Sequence, residues 1–98
     1  MIRHVALFTF KKSATSEQVD AMARSLLAIE SAGMIRMTCG RDLGVRGTAD
    51  FAIVGEFESI DAYKAFSASD DYQAYREHHS SKLVDQVLIV QYRVEGGQ

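Results

Sequence analysis

Residues 2–10 alternate. Ile2, His4, Ala6, Phe8 and Phe10 hold one parity, and Val5, Leu7 and Thr9 the other. A period of two predicts a strand, and apolar groups on both parities predict one covered on both faces. Lys11 and Lys12 end it. The period then lengthens: Val19, Met22, Ala23, Leu26 and Leu27 follow helical spacing, and Glu30 breaks the series at its last place. Thr15 and Gln18 predict a capping box with Glu17 in the first turn, opening an amphipathic helix of about four turns that stops at Gly33.

Residues 35–43 predict a weaker strand with Ile35, Met37, Cys39 and Leu43 on one face, and the Gly-containing stretch 44–50 an exposed connection. Residues 51–58 predict a strand with Phe51, Ile53, Gly55 and Phe57 on one parity and Ala52 and Val54 on the other; Glu56 and Glu58 mark where the second parity turns wet. Ser59 predicts a cap for a short helix to about residue 68, with Ile60, Tyr63 and Phe66 inward. Asp70, with Gln73, predicts the N-cap of another helix through about residue 82, burying Tyr72, Tyr75 and His79. Residues 86–94 predict a last strand, with Val87 and Ile89 on one side and Leu88, Val90 and Tyr92 on the other, and Gly96-Gly97-Gln98 reads as a tail.

The order strand, helix, strand, strand, helices, strand predicts an α+β fold. It is the ferredoxin-like βαββαβ arrangement, an antiparallel sheet with its helices on one face. Such helices cover one face of a sheet, yet three of the four strands are apolar on both parities. A lone copy would expose several hundred Å² of apolar surface, which soluble monomers rarely do. Burying it against a second copy contributes on the order of 5–10 kcal/mol before association costs. The pattern therefore predicts a homodimer joined through the sheet face.

Composition narrows the class. At 98 residues the chain has the length of a single domain, 1–98, and 47% hydrophobic residues supply a core. Eleven basic against 13 acidic residues give a net charge of -2, so no basic footprint for nucleic acid and no polybasic membrane anchor is expected. No apolar run reaches the roughly 18 residues of a spanning helix, and Met1-Ile2-Arg3-His4 does not read as a signal peptide, so a cytoplasmic location is expected. One cysteine, Cys39, and three scattered histidines rule out a Cys-rich zinc site; no metal or cofactor is assigned, and Cys39 reads as a packed thiol.

His4 shares a parity with Ala6 and Phe8. It reads either as a general base or hydrogen-bond donor facing a ligand, or as a core histidine bonded to the backbone or to Tyr72. Tyr72 reads either as a proton donor or as a core aromatic with its hydroxyl at the rim. His78 and His79 are adjacent, so on a helix they point about 100° apart and suit one wet and one half-buried position. Phe8, Met22, Leu26, Met37, Phe51, Ile53, Phe66, Tyr75, Leu83 and Val90 are expected between sheet and helices, with Gly55, Ala6 and Ala23 leaving room for a small cavity.

The opening Ile2-Arg3-His4-Val5-Ala6-Leu7-Phe8-Thr9-Phe10-Lys11 resembles the start of stress-responsive α/β-barrel (Dabb, dimeric α/β barrel) domains. Gly40-Arg41-Asp42-Leu43, then Phe57-Glu58-Ser59 followed by Tyr63 and Phe66, and the strand Val87 to Tyr92 resemble later segments of the same family. The resemblance spans nearly the whole chain and rests on the ordered set of motifs. It implies a ferredoxin-like protomer whose sheet packs on a twin, with a cavity between sheet and helices. Some plant relatives are polyketide cyclases in which the strand-one histidine and a second histidine support an aldol condensation. Here the first is His4, while Tyr72 stands in the place of the second, Ser69 in that of its neighbouring histidine, Phe51 in that of a further cavity histidine and Phe66 in that of a tyrosine.

The leading expectation is a homodimeric protein that holds a small hydrophobic, aromatic or phenolic molecule near His4 and Tyr72. Two alternatives stand beside it. One is a cofactor-independent enzyme, cyclase-like, isomerase or monooxygenase-like, using His4 as acid or base. The other is a purely structural assembly protein.

Overall fold

The computed structural model describes residues 1–95; the Gly96-Gly97-Gln98 tail lies outside the described residues. The chain runs β1 (Ile2–Phe10), α1 (Ser16–Leu27), β2 (Met34–Arg41), β3 (Phe51–Phe57), α2 (Ile60–Ala68), α3 (Asp70–Tyr75), a π-helical turn (Arg76–Ser80), α4 (Ser81–Leu83) and β4 (Val84–Arg93). The four strands form one antiparallel sheet in the order β2-β3-β1-β4. This is the ferredoxin-like α+β fold that the alternation of periods predicts.

Register decides which side chains face the helices. His4 lies opposite Gly55 on β3 and Gln91 on β4; Ala6 lies opposite Ile53 and Ile89, and Phe8 opposite Phe51 and Val87. Since side chains alternate, these rows share the face beneath the helices. The core there contains Phe8, Val19, Met22, Leu26, Ile29, Phe51, Ile53, Phe57, Phe66, Tyr75 and Leu83. The other face carries Val5, Leu7, Ala52 and Val54, together with Leu88, Val90 and Tyr92. Leu88 is 72% and Val90 56% exposed there.

The caps explain where the helices begin. Thr15 accepts from the Gln18 backbone N–H and the Gln18 side chain accepts from the Thr15 N–H, so the predicted capping box is present. Ser59 caps α2 as predicted. For α3 the cap is Ser69 rather than Asp70: its hydroxyl accepts from the Tyr72 N–H, and Asp70 and Asp71 sit in the first turn, where carboxylates complement the helix dipole.

Other boundaries differ from the expected ones. Helix α1 ends at Leu27, short of Gly33. Leu27 is exposed, and Ile29, just past the helix, turns inward instead. Gly33 has φ +80°, and a Cβ there would stand 2.6 Å from that of Ala62, so it serves the close approach of the turn to α2. The β2–β3 register slips between Met34 and Arg36, a bulge that turns Met34 toward the core and leaves Ile35 exposed. Leu43 lies beyond the end of β2 and is exposed, as is Ile60 in α2. The helical stretch expected from Asp70 runs on to Leu83, but its middle turn is π-helical, with His78 exposed and His79 half-buried in it. The connection 44–50 is pinned at its far end: Asp50 donates its N–H to the Phe8 carbonyl and accepts the Phe10 N–H on its carboxylate.

Candidate functional site: a cavity under the helices

A cavity of about 550 Å³ lies between the helix-facing side of the sheet and the segment running from α2 to the start of β4. β1 supplies His4, Ala6 and Phe8 to its floor, and β2 and β3 supply Met37 and Ile53. Its roof takes Tyr63 and Phe66 from α2, and Tyr72 and Tyr75 from α3. It reaches the β4 edge, where Val87 and Ile89 are exposed although they share the helix-facing side. Arg76 and Asp85 stand exposed on its border.

His4 is 8% exposed. Its ring stacks on Tyr63 with centroids 4.9 Å apart and planes 24° from parallel. Its Nδ1 lies 2.7 Å from Nε2 of Gln91, the residue facing it across the β1–β4 ladder. Burial pushes the imidazole pKa below its ordinary value, and among the described residues no carboxylate is bonded to it to oppose that shift. His4 is therefore neutral at pH 7 and offers one donor and one acceptor nitrogen.

The roof is a run of aromatic contacts. Phe57 meets Tyr63 and Phe66, Phe66 meets Tyr72 at 4.9 Å, and Tyr72 meets Tyr75 at 5.6 Å. Burial, helped by the neighbouring Tyr63, raises the Tyr72 phenol above its ordinary pKa against the opposing pull of Arg76, so Tyr72 is a proton donor and not a base. Tyr75 is raised further by burial, and its hydroxyl is sealed without a hydrogen-bond partner among the described residues; Ser80 is near enough to temper the shift but not in bonding geometry. Cys39 is half-buried and its thiol is raised by burial, the condition of a packed and unreactive cysteine.

Of the residues expected around the cavity, His4, Tyr72, Phe8, Leu26, Met37, Ile53, Phe66 and Tyr75 line it. Met22 and Phe51 do not. They fill the core, Met22 on the buried side of α1 and Phe51 against Phe8 and Phe10. Leu83 is likewise core, and Val90 belongs to the opposite face, where its partner on β1 is Val5. Gly55 leaves no space, because Met37 folds over it: a Cβ there would meet the Met37 methyl at 2.9 Å. His4 and Tyr72 share the cavity but no hydrogen bond joins them; His4 is bonded to Gln91 and stacked on Tyr63. The role of Tyr63 was half legible from its inward helical position. Gln91 was not legible, since only strand register brings residue 91 beside residue 4.

Among the described residues no group of three or more His, Cys, Asp or Glu side chains is placed to hold a metal ion, and no helix is long and apolar enough to cross a membrane.

A ferredoxin-like sheet with an aromatic cavity beneath its helices and a histidine on the central strand defines the class of the molecule. Residues 2–94 match the family model of the stress responsive A/B barrel domain, and the chain belongs to that family. A dimeric ferredoxin-like protein of unknown function from Thermobifida fusca is 28% identical, with TM-score 0.83 over 95% of this chain and 90% of that one. A Dabb family protein with a ferredoxin-like fold from Mesorhizobium loti is 23% identical, with TM-score 0.77 over 97% of each chain. The hydroxynitrile lyase of Passiflora edulis is 17% identical, with TM-score 0.83 over 99% of this chain and 95% of that one, a likeness of fold. No curated protein matches the chain.

Proposed function

We propose that this protein is a homodimeric binding protein that holds one small hydrophobic or aromatic molecule between its sheet and helices, against His4 and Tyr72. The observation that carries the reading is the cavity of about 550 Å³, which falls within the range of small-molecule sites and joins aromatic and aliphatic side chains to His4, tyrosine and serine hydroxyls, with Arg76 and Asp85 at its border. Rings at the roof offer flat contact surfaces, while the His4 and Tyr72 polar atoms orient what binds. The second copy covers the other face of the sheet, where Leu7, Leu88, Val90 and Tyr92 are exposed beside half-buried Val5, Ala52 and Val54. The similar Thermobifida fusca protein is described as dimeric, which supports that assembly.

A second reading is favoured by one specific observation: the bond of His4 to Gln91 occupies only one ring nitrogen, while burial lowers the imidazole pKa and favours its neutral form. A neutral imidazole in an apolar cavity suits acid–base chemistry without a cofactor. Native mass spectrometry of the purified protein tests the main reading. A dimer retaining an extra small-molecule mass is expected. A clean monomer overturns the assembly. A dimer that gains no mass with any aromatic compound from a screened set overturns the binding role.

A further inference from the structure

We propose that Gln91 fixes His4 in the tautomer whose proton sits on Nε2, so that the histidine donates a hydrogen bond into the cavity, and that the occupant is an aromatic molecule presenting an oxygen acceptor at that point. The inference rests on the binding role proposed above and names the chemistry of the ligand.

His4 and Gln91 face each other across the β1–β4 ladder on the same side of the sheet, and the Gln91 amide nitrogen is 2.7 Å from Nδ1. An amide N–H₂ only donates, so Nδ1 is the acceptor and the single proton of the neutral ring belongs to Nε2. Among the described residues Nε2 has no hydrogen-bond partner, yet it is not sealed from contact. Since His4 is 92% covered and lines the cavity, what reaches Nε2 comes through the cavity.

The two phenol hydroxyls nearby can donate as well. The Tyr63 and Tyr72 hydroxyls belong to half-buried cavity residues, form no hydrogen bond among the described residues and are not sealed. Among the described residues the only acid on the cavity wall is Asp85, exposed at the border. A donor left facing an apolar space costs free energy unless its ligand supplies an acceptor. A carbonyl or phenolate oxygen on a flat ring system answers both the donors and the aromatic roof. A molecule bringing only donors there would leave the Nε2 proton without an acceptor.

The test has two parts. Long-range ¹H–¹⁵N NMR on the uniformly labelled protein reads the tautomer; His4 with its proton on Nε2 is expected, and a proton on Nδ1 overturns the proposal. Titration with 2-acetonaphthone and 2-ethylnaphthalene, similar in shape and differing in the carbonyl, then reads the ligand class. The ketone is expected to bind about tenfold more tightly, the worth of one net hydrogen bond in a dry site. In Gln91→Glu, at about pH 8.5 where imidazole is neutral, the new carboxylate accepts from Nδ1–H and leaves a lone pair at Nε2, so the ratio falls to about one. Equal binding of the two compounds by the unaltered protein overturns the acceptor preference while leaving the cavity as a binding site. Binding of neither overturns both the preference and the binding role.

Discussion

The two faces of the sheet are built from the same strands and both carry apolar side chains, and they have different fates. On the helix-facing side, Phe57 is fully buried and packs against Tyr63 and Phe66. One residue before it, Glu56 on the other side forms an ion pair with Arg3, whose guanidinium also donates to the Tyr92 hydroxyl and lies over its ring. Around that polar group Leu7, Leu88 and Val90 are uncovered. The covered face stabilises the protomer. The uncovered face contributes only when something else lies on it. Apolar patterning alone therefore records burial somewhere, within the chain or between copies, without distinguishing the two.

Substitutions on the two faces should separate these roles. The largest effect is expected from Phe57→Ala, which removes a fully buried ring and should lower protomer stability by about 3–5 kcal/mol in chemical denaturation. Val90→Asp should act on the other property. It places a charge among apolar side chains of the uncovered face, so the protomer should keep its circular dichroism spectrum while the dimer weakens by at least about 2 kcal/mol, roughly 30-fold in dissociation constant, in sedimentation experiments. Unchanged assembly would mean that the open face is not where copies meet.

The smallest effect is a pH dependence confined to the covered face. Burial lowers the His4 pKa in the folded state below the unfolded value near 6.5, so the unfolded chain binds the proton first as pH falls. The stability associated with neutral His4 is complete above about pH 6.5 and is lost as pH drops from there toward the folded-state pKa. Denaturation of the protein and of His4→Gln at pH 7.5 and 5.5 should show a steeper loss for the unaltered protein; parallel losses would mean that the imidazole is not desolvated.

Much of the fold was legible because its signals are local. The change of period from two to 3.6 locates β1 and α1, the Thr15–Gln18 box opens the first helix, and Ser59 opens the second. Errors fell where local signals were rivalled by neighbours. Ser69 capped α3 ahead of Asp70, the β2 bulge displaced Ile35, and Met37 filled the space expected beside Gly55. In the cavity, parity and helical spacing placed His4, Phe66, Tyr72 and Tyr75 on the inner side, while Met22 and Phe51 shared that side and still became core, because depth within a layer has no periodicity in sequence.

The sequence by itself determined the order of elements, which side chains of a strand share a side, and the presence of a second apolar face. These follow from side-chain direction, which repeats every two or 3.6 residues whatever the rest of the chain does. The side of β4 that meets the helices was settled only by register, which put Val87 and Ile89 there and Val90 opposite. Only the tertiary structure decided that His4 bonds to Gln91 and stacks on Tyr63 instead of pairing with Tyr72. Residues 4 and 91 are neighbours through the antiparallel register of the first and last strands, and 4 and 63 through the packing of α2 on the sheet. Both are long-range contacts, fixed by the packing of the whole layer rather than by the residues flanking either partner.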